Sequence, residues 1–156
     1  MKIVAQGIRI EEPEILEKLR HVGAYLLEGN TVPIYEAMYF SEKGVLPMDP
    51  HLIEKELKKR DKRADIRYRV FSFLWSRGYI TRESQDGGLF RIHRKGIRID
   101  EDRTENVLRI IKPNEKYNRK QMEDDLQVAG ALRKQLVLAV SGENIEFIKI
   151  SRTRFD

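Results

Sequence analysis

Apolar and polar residues alternate from Ile3 to Ile10, which predicts a strand, and the spacing then changes. Pro13 stands where a helix begins, Ile15, Leu16 and Leu19 supply its buried stripe, and Gly23 suits the left-handed residue that closes it. A strand-like Ala24 to Leu27 and the turn Glu28-Gly29-Asn30 follow. A second helix is predicted from Pro33 to Gly44, and a third, very charged one from Pro50 to about Arg60, with Asp49 as its N-cap. Ile66, Val70, Phe73 and Leu74 give a fourth helix its apolar face, which Gly78 ends. Tyr79-Ile80-Thr81 then turns at Asp86-Gly87-Gly88 into Leu89 to His93, a hairpin with a glycine-rich connection. Gly96 to Ile99 and Val107 to Ile111 add short strands. Met122, Leu126, Ala129 and Leu132 recur near helical spacing, while Gln135 to Val140 is too apolar to alternate, as expected of a strand covered on both sides. Ile145 to Ile150 is its hairpin partner.

The fold class is therefore α/β (α+β): a small helix-rich N-terminal α+β domain, residues 1–62, and a C-terminal mixed-sheet domain with flanking helices, residues 63–156. The boundary is expected in the charged run Lys58 to Arg63. Hydrophobic residues make up 40% of the chain, enough for a core, and no apolar run approaches the roughly 20 residues of a membrane span. Lys2 leads into a strand-like segment rather than a signal-peptide core, so a cytoplasmic location is expected. The absence of cysteine excludes disulfides and thiolate metal sites within the chain. The three histidines, at 21, 51 and 93, have no close pairing, so neither a metal nor another cofactor is expected. A net charge of +5 fits a nucleic-acid partner, but with 35% charged residues it equally fits the ion-pair networks of a thermophile surface.

Lys134 stands between the last helix and the apolar strand, and a lysine pinned there in a basic protein suits a phosphate. Taken alone it is an ordinary cation at a helix C-terminus, where positive charge is favourable. The surrounding pattern adds to this. An Ala-x-x-x-Arg-Lys run, Ala129 to Lys134, opens onto Leu136-Val137-Leu138-Ala139-Val140. Upstream stand Tyr68 to Ile80, Leu89-Phe90-Arg91-Ile92 and Ile110-Ile111-Lys112-Pro113, and farther back Val32 to Tyr39 with Glu36-Ala37-Met38-Tyr39. In this order the segments resemble the tRNA-intron splicing endonucleases of archaea over nearly the whole chain. The resemblance implies a nuclease-like C-terminal domain and cleavage of precursor tRNA at bulged intron–exon junctions. The adjacent 2′-hydroxyl would attack, leaving 2′,3′-cyclic phosphate and 5′-hydroxyl ends without a metal.

Such cleavage needs a general base, a general acid and a cation for the pentacoordinate phosphate. The family supplies them with a tyrosine, a histidine and a lysine. Carried onto this chain, the lysine is Lys134, the tyrosine position holds His93, and Arg103 falls at or next to the histidine position. His93 can titrate near neutrality, although a histidine in a strand is more often structural. Arg103 keeps its proton at any working pH and so cannot be the acid. Tyr117 lies in a polar loop and is expected to pack or be exposed. Two of three roles are altered.

The resemblance with these departures implies a non-catalytic structural subunit that pairs with a catalytic subunit in a heterotetramer and engages precursor tRNA. Two contacts would hold the partner. One is edge-to-edge pairing through Ile145, Phe147, Ile148 and Ile150. The other is an acidic loop before the last helix, for which Glu115 is the candidate and Asp124 and Asp125 are alternatives. Of the family's two base-stacking arginines, Arg152 matches one, whereas Gln127 occupies the other position and cannot stack as a cation. Two alternatives stay open. The chain could be a self-sufficient homo-oligomeric endonuclease using His93 and Lys134. It could instead be a winged-helix regulator with Ile66 to Arg77 as recognition helix and Tyr79 to His93 as wing, although Phe71, Phe73, Leu74 and Trp75 suit a core better than a groove.

Overall fold

A computed structural model describes residues 1–84, 88–93 and 104–155. The expected strand Gly96 to Ile99, most of the turn at Asp86-Gly87 and the candidate Arg103 lie outside the described residues. The chain forms two compact units, Met1–Asp65 and Ile66–Asp156.

In the first unit, β1 (Lys2–Val4) and β2 (Gly7–Arg9) form a hairpin, and β3 (Thr31–Pro33) pairs antiparallel with β2, setting Ile8 opposite Val32. The single strand expected over Ile3 to Ile10 is thus broken by a turn at Ala5-Gln6. Gly7 sets how closely β2 and β3 approach, since a Cβ there would lie 1.9 Å from the Val32 carbonyl oxygen. Between β2 and β3 runs α1 (Pro13–His21), which buries Leu16 and Leu19 and ends at Gly23 with φ 83°. Ala24 to Leu27 forms no strand; Leu27 makes only an isolated bridge to Thr31. The turn between them, with Gly29 and Asn30 at φ 72° and 54°, gives the place beside β2 to Thr31–Pro33 instead. α2 (Ile34–Glu42) is a core helix, burying seven of its nine residues, Glu36 among them. α3 (Pro50–Arg60) starts at Asp49, whose carboxylate accepts from the His51 N–H at 3.0 Å.

The second unit is a five-stranded sheet in the order β4 (Ile80–Glu83), β5 (Phe90–His93), β6 (Thr104–Ile111), β7 (Gln135–Ser141), β8 (Ile145–Ile150). Among the described strands of this sheet only β6 and β7 run parallel, joined by α5 (Arg119–Ala131); the other neighbours are antiparallel. α4 (Ala64–Ser76) covers one face, with Phe71 against Phe90 at 6.2 Å and Phe73 against Phe147 at 5.8 Å between ring centroids. α5 covers the other, where Ala129 joins Leu89, Val107 and Leu136 in a buried cluster backed by Leu126, Leu132 and Ile150. β7 accordingly buries Leu136 and Leu138 on one face and Ala139 on the other, which is why it reads as continuously apolar.

α4 is rotated from the expected stripe. It buries Val70, Phe71, Leu74 and Trp75, while Ile66 and Phe73 stay half-buried. Phe71 and Trp75, one turn apart, turn that side inward, and the Trp75 indole N–H donates to the Thr81 carbonyl at 3.1 Å. The helix assigned to groove recognition is thus a core element, and its wing is two strands of the sheet, so the winged-helix alternative falls. Among the described residues no helix is long and apolar enough to cross a membrane.

Candidate functional site

The strand register brings the sequence-predicted residues to one end of the second unit's sheet. Ile92, Asn106 and Gln135 stand side by side across β5, β6 and β7, and Leu136 faces Ile150 of β8. His93 follows Ile92, Lys134 precedes Gln135, and Arg152 lies two residues beyond Ile150, so all three share that end. Two strand spacings separate β5 from β7, which sets His93 and Lys134 about 10 Å apart at their backbones.

Lys134 is fixed by the way α5 ends. Leu132 closes the helix, Arg133 turns left-handed at φ 57°, and two hydrogen bonds lock the turn. The Lys134 N–H donates to the Ala129 carbonyl at 2.8 Å and the Arg133 N–H to that of Gly130 at 3.0 Å, a Schellman pair with arginine where glycine is usual. Among the described residues the partly exposed Lys134 side chain has no ion-pair partner.

His93 differs sharply. It ends β5 at a bulge in the pairing with β6 and is only 4% exposed. A general base or acid must come within about 3 Å of the proton it moves. The His93 ring is enclosed where the Lys134 side chain is partly exposed. Arg152 is exposed beyond β8, and Gln127 is exposed on α5.

The loop before α5 is built on a cluster that no spacing rule singled out. Asp125, buried on α5, accepts both Arg109 Nε at 2.9 Å and Nη2 at 2.7 Å, and Tyr117 Oη donates to it at 2.6 Å. Burial and the Asp125 hydrogen bond push the Tyr117 phenol far above its ordinary range. Asp125 raises the Arg109 guanidinium further still. Asp125 is therefore committed inside its own unit, and its place as an alternative docking acid is withdrawn. Glu115 is partly buried and accepts from the Lys112 N–H at 3.2 Å, while its own N–H returns to the Lys112 carbonyl at 3.1 Å. Asp124 stays exposed. A signal for the cluster was present in the sequence: Arg109 interrupts an apolar strand, and Asp125 stands four residues before Ala129 on the helix's buried stripe.

Among the described residues β8 borders only β7, and its outer edge has no strand partner. Phe147 and Ile148, on opposite faces of that edge, are 40% and 45% exposed.

Comparison with known proteins places this sheet. Residues 64–147 match the family described as tRNA intron endonuclease, catalytic C-terminal domain, which spans α4 to β8. The chain belongs to this family. It is similar to a tRNA-splicing endonuclease of Pyrococcus abyssi, 30% identical over 141 residues that cover 83% of this chain and 81% of that protein. A tRNA-splicing endonuclease of Nanoarchaeum equitans is 29% identical over 140 residues, 81% of this chain and 91% of the relative. One from Thermococcus onnurineus is 29% identical over 132 residues, 78% and 75% of the two chains. In this tRNA intron endonuclease domain, one end of the sheet holds the partly exposed Lys134 and the buried His93.

Proposed function

We propose that this chain is the structural subunit of a tRNA-splicing endonuclease. It assembles in the cytoplasm with a catalytic subunit into a heterotetramer that cuts precursor tRNA at bulged intron–exon junctions. The products carry 2′,3′-cyclic phosphate and 5′-hydroxyl ends. The observation that carries this reading is His93, which stands where the family uses a tyrosine and is 4% exposed. Among the described residues, Lys134 alone keeps the family's residue type, at a partly exposed position. A cation alone stabilises the phosphorane but moves no proton.

The partner side of the reading rests on β8. Its six residues offer about 20 Å of backbone edge with no strand partner among the described residues, flanked by Ile145, Phe147, Ile148 and Ile150, with exposed apolar side chains on both faces. Glu115 remains the acid proposed to dock in the partner, held ready by its exchange with Lys112 rather than projecting freely. Arg152 is the proposed stacking contact to the RNA.

Native mass spectrometry and a cleavage assay on bulged precursor RNA test the proposal together. The chain mixed with a catalytic subunit should give a mixed tetramer, with cleavage only in the mixture. Cleavage by the isolated chain overturns it in favour of the self-sufficient enzyme, which then requires His93→Ala to abolish activity. Glu115→Lys should dissociate the tetramer, and an intact assembly removes that loop from the interface.

A further inference from the structure

The outer face of α3 carries more cations than the carboxylates beside it can pair. From Pro50 to Arg63 the chain has six lysines and arginines against three carboxylates. Those carboxylates are committed elsewhere. Glu54 faces His51 and Lys58, Glu56 takes Arg60 at 2.9 Å, and Asp61 accepts from the Tyr35 hydroxyl and the Arg63 N–H. Asp65, next along the chain, also faces Lys58. Arg60 itself points inward, donating to the Val4 and Ala5 carbonyls. Lys55, Lys59 and Lys62 are left exposed, with no ion pair among the described residues.

Lys55 and Lys59 stand one turn apart with about 6 Å of rise between them, and Lys62 follows in the turn after the helix. Like charges four apart weaken a helix. Lys59 lies in the last turn of α3, where a cation is favourable without an ion pair, but Lys55 stands a turn earlier and gains nothing from that end. An unpaired row at this spacing instead matches a polyanion that presents charge at short, regular intervals, and its binding would relieve the repulsion.

We infer that Lys55, Lys59 and Lys62 on α3 form a nucleic-acid contact that holds the phosphate backbone of double-helical RNA. The contact lies in the first unit, outside the 64–147 family match, and reads charge rather than sequence.

The test uses the full chain and a labelled, mixed-sequence RNA duplex with no intron junction, followed by fluorescence anisotropy across a KCl series. The triple variant Lys55→Gln/Lys59→Gln/Lys62→Gln should weaken binding at every sequence and make the slope of log affinity against log salt shallower by about three. A charge-matched control in the same unit, Lys2→Gln/Lys18→Gln/Lys43→Gln, should keep the wild-type slope. Glutamine preserves helix propensity, so the α3 variants stay folded. An unchanged slope in the α3 variant, or an equal loss in the control, overturns the inference. So does a loss confined to binding of phosphatidylserine vesicles with RNA binding intact. Because the probe carries no junction, these outcomes are independent of the subunit reading, which cleavage by the mixture decides.

Discussion

Two polar groupings in the second unit make opposite use of similar side chains. Arg109, Asp125 and Tyr117 close on one another, with both carboxylate oxygens engaged across β6, α5 and the loop between them. His93 and Lys134 share an end of the same sheet but stand about 10 Å apart at their backbones, one buried and the other partly in solvent. The contrast teaches that polar groups on which packing depends hold one another in place. Groups that only a reaction would unite need not.

The sharpest way to break this comparison is Asp125→Ala. It leaves the Arg109 guanidinium without its carboxylate and the Tyr117 hydroxyl without its acceptor, and removing one partner of a buried pair costs about 3–5 kcal/mol. Arg109 remains 27% exposed, so water recovers part of this and the lower end is expected in urea unfolding. A loss under about 1 kcal/mol would place the cluster outside the folding core.

Tyr117→Phe should cost about 1.5–3 kcal/mol at neutral pH, the worth of a hydrogen bond to a charged group. It also has a pH signature. The folded phenol titrates above its ordinary value of 10, so the protein keeps its proton where the unfolded chain gives it up. That contribution is complete below pH 10 and declines as pH rises beyond it. Wild-type stability should therefore fall more steeply than that of Tyr117→Phe in an alkaline series; parallel curves would refute the assignment.

Lys134→Ala should cost only about 0.3–1 kcal/mol, the ordinary value of a cation at a helix C-terminus, and leave cleavage by the mixed assembly unchanged. A hundredfold drop in that cleavage would return Lys134 to the chemistry. Smallest of all is the folding effect of Ile148→Lys, expected within about 0.5 kcal/mol because the residue is already exposed. Its consequence should appear instead as loss of the tetramer in native mass spectra.

Much of the second unit was legible in the sequence because its helices and strands bury one face each. Leu126 to Val140 announces a helix and then a strand covered on both sides, and the structure contains both. The first unit was harder to read, since its strands are three residues long and their pairing is set by turns. Gly7, Gly29 and Asn30 decide that Thr31–Pro33, not Ala24 to Leu27, lies beside β2. At the candidate site, the positions of His93 and Lys134 followed from order along the chain. The burial of His93 did not, because it depends on how β5, β6 and their bulge pack. Arg109 and Asp125 escaped notice for a related reason: sixteen residues apart, they meet only once β6 and α5 are folded together.

The turn at Arg133 has a consequence for how this family diverges. An L-residue held left-handed is strained by roughly 1–2 kcal/mol, yet the turn fixes where α5 stops and β7 starts. One residue gained or lost there would move every side chain of β7 to the opposite face and empty the core. Drift is therefore free to exchange the side chain at 134 but not to relocate the position. The address outlives its occupant: the turn holds residue 134 at this end of the sheet whatever side chain it carries.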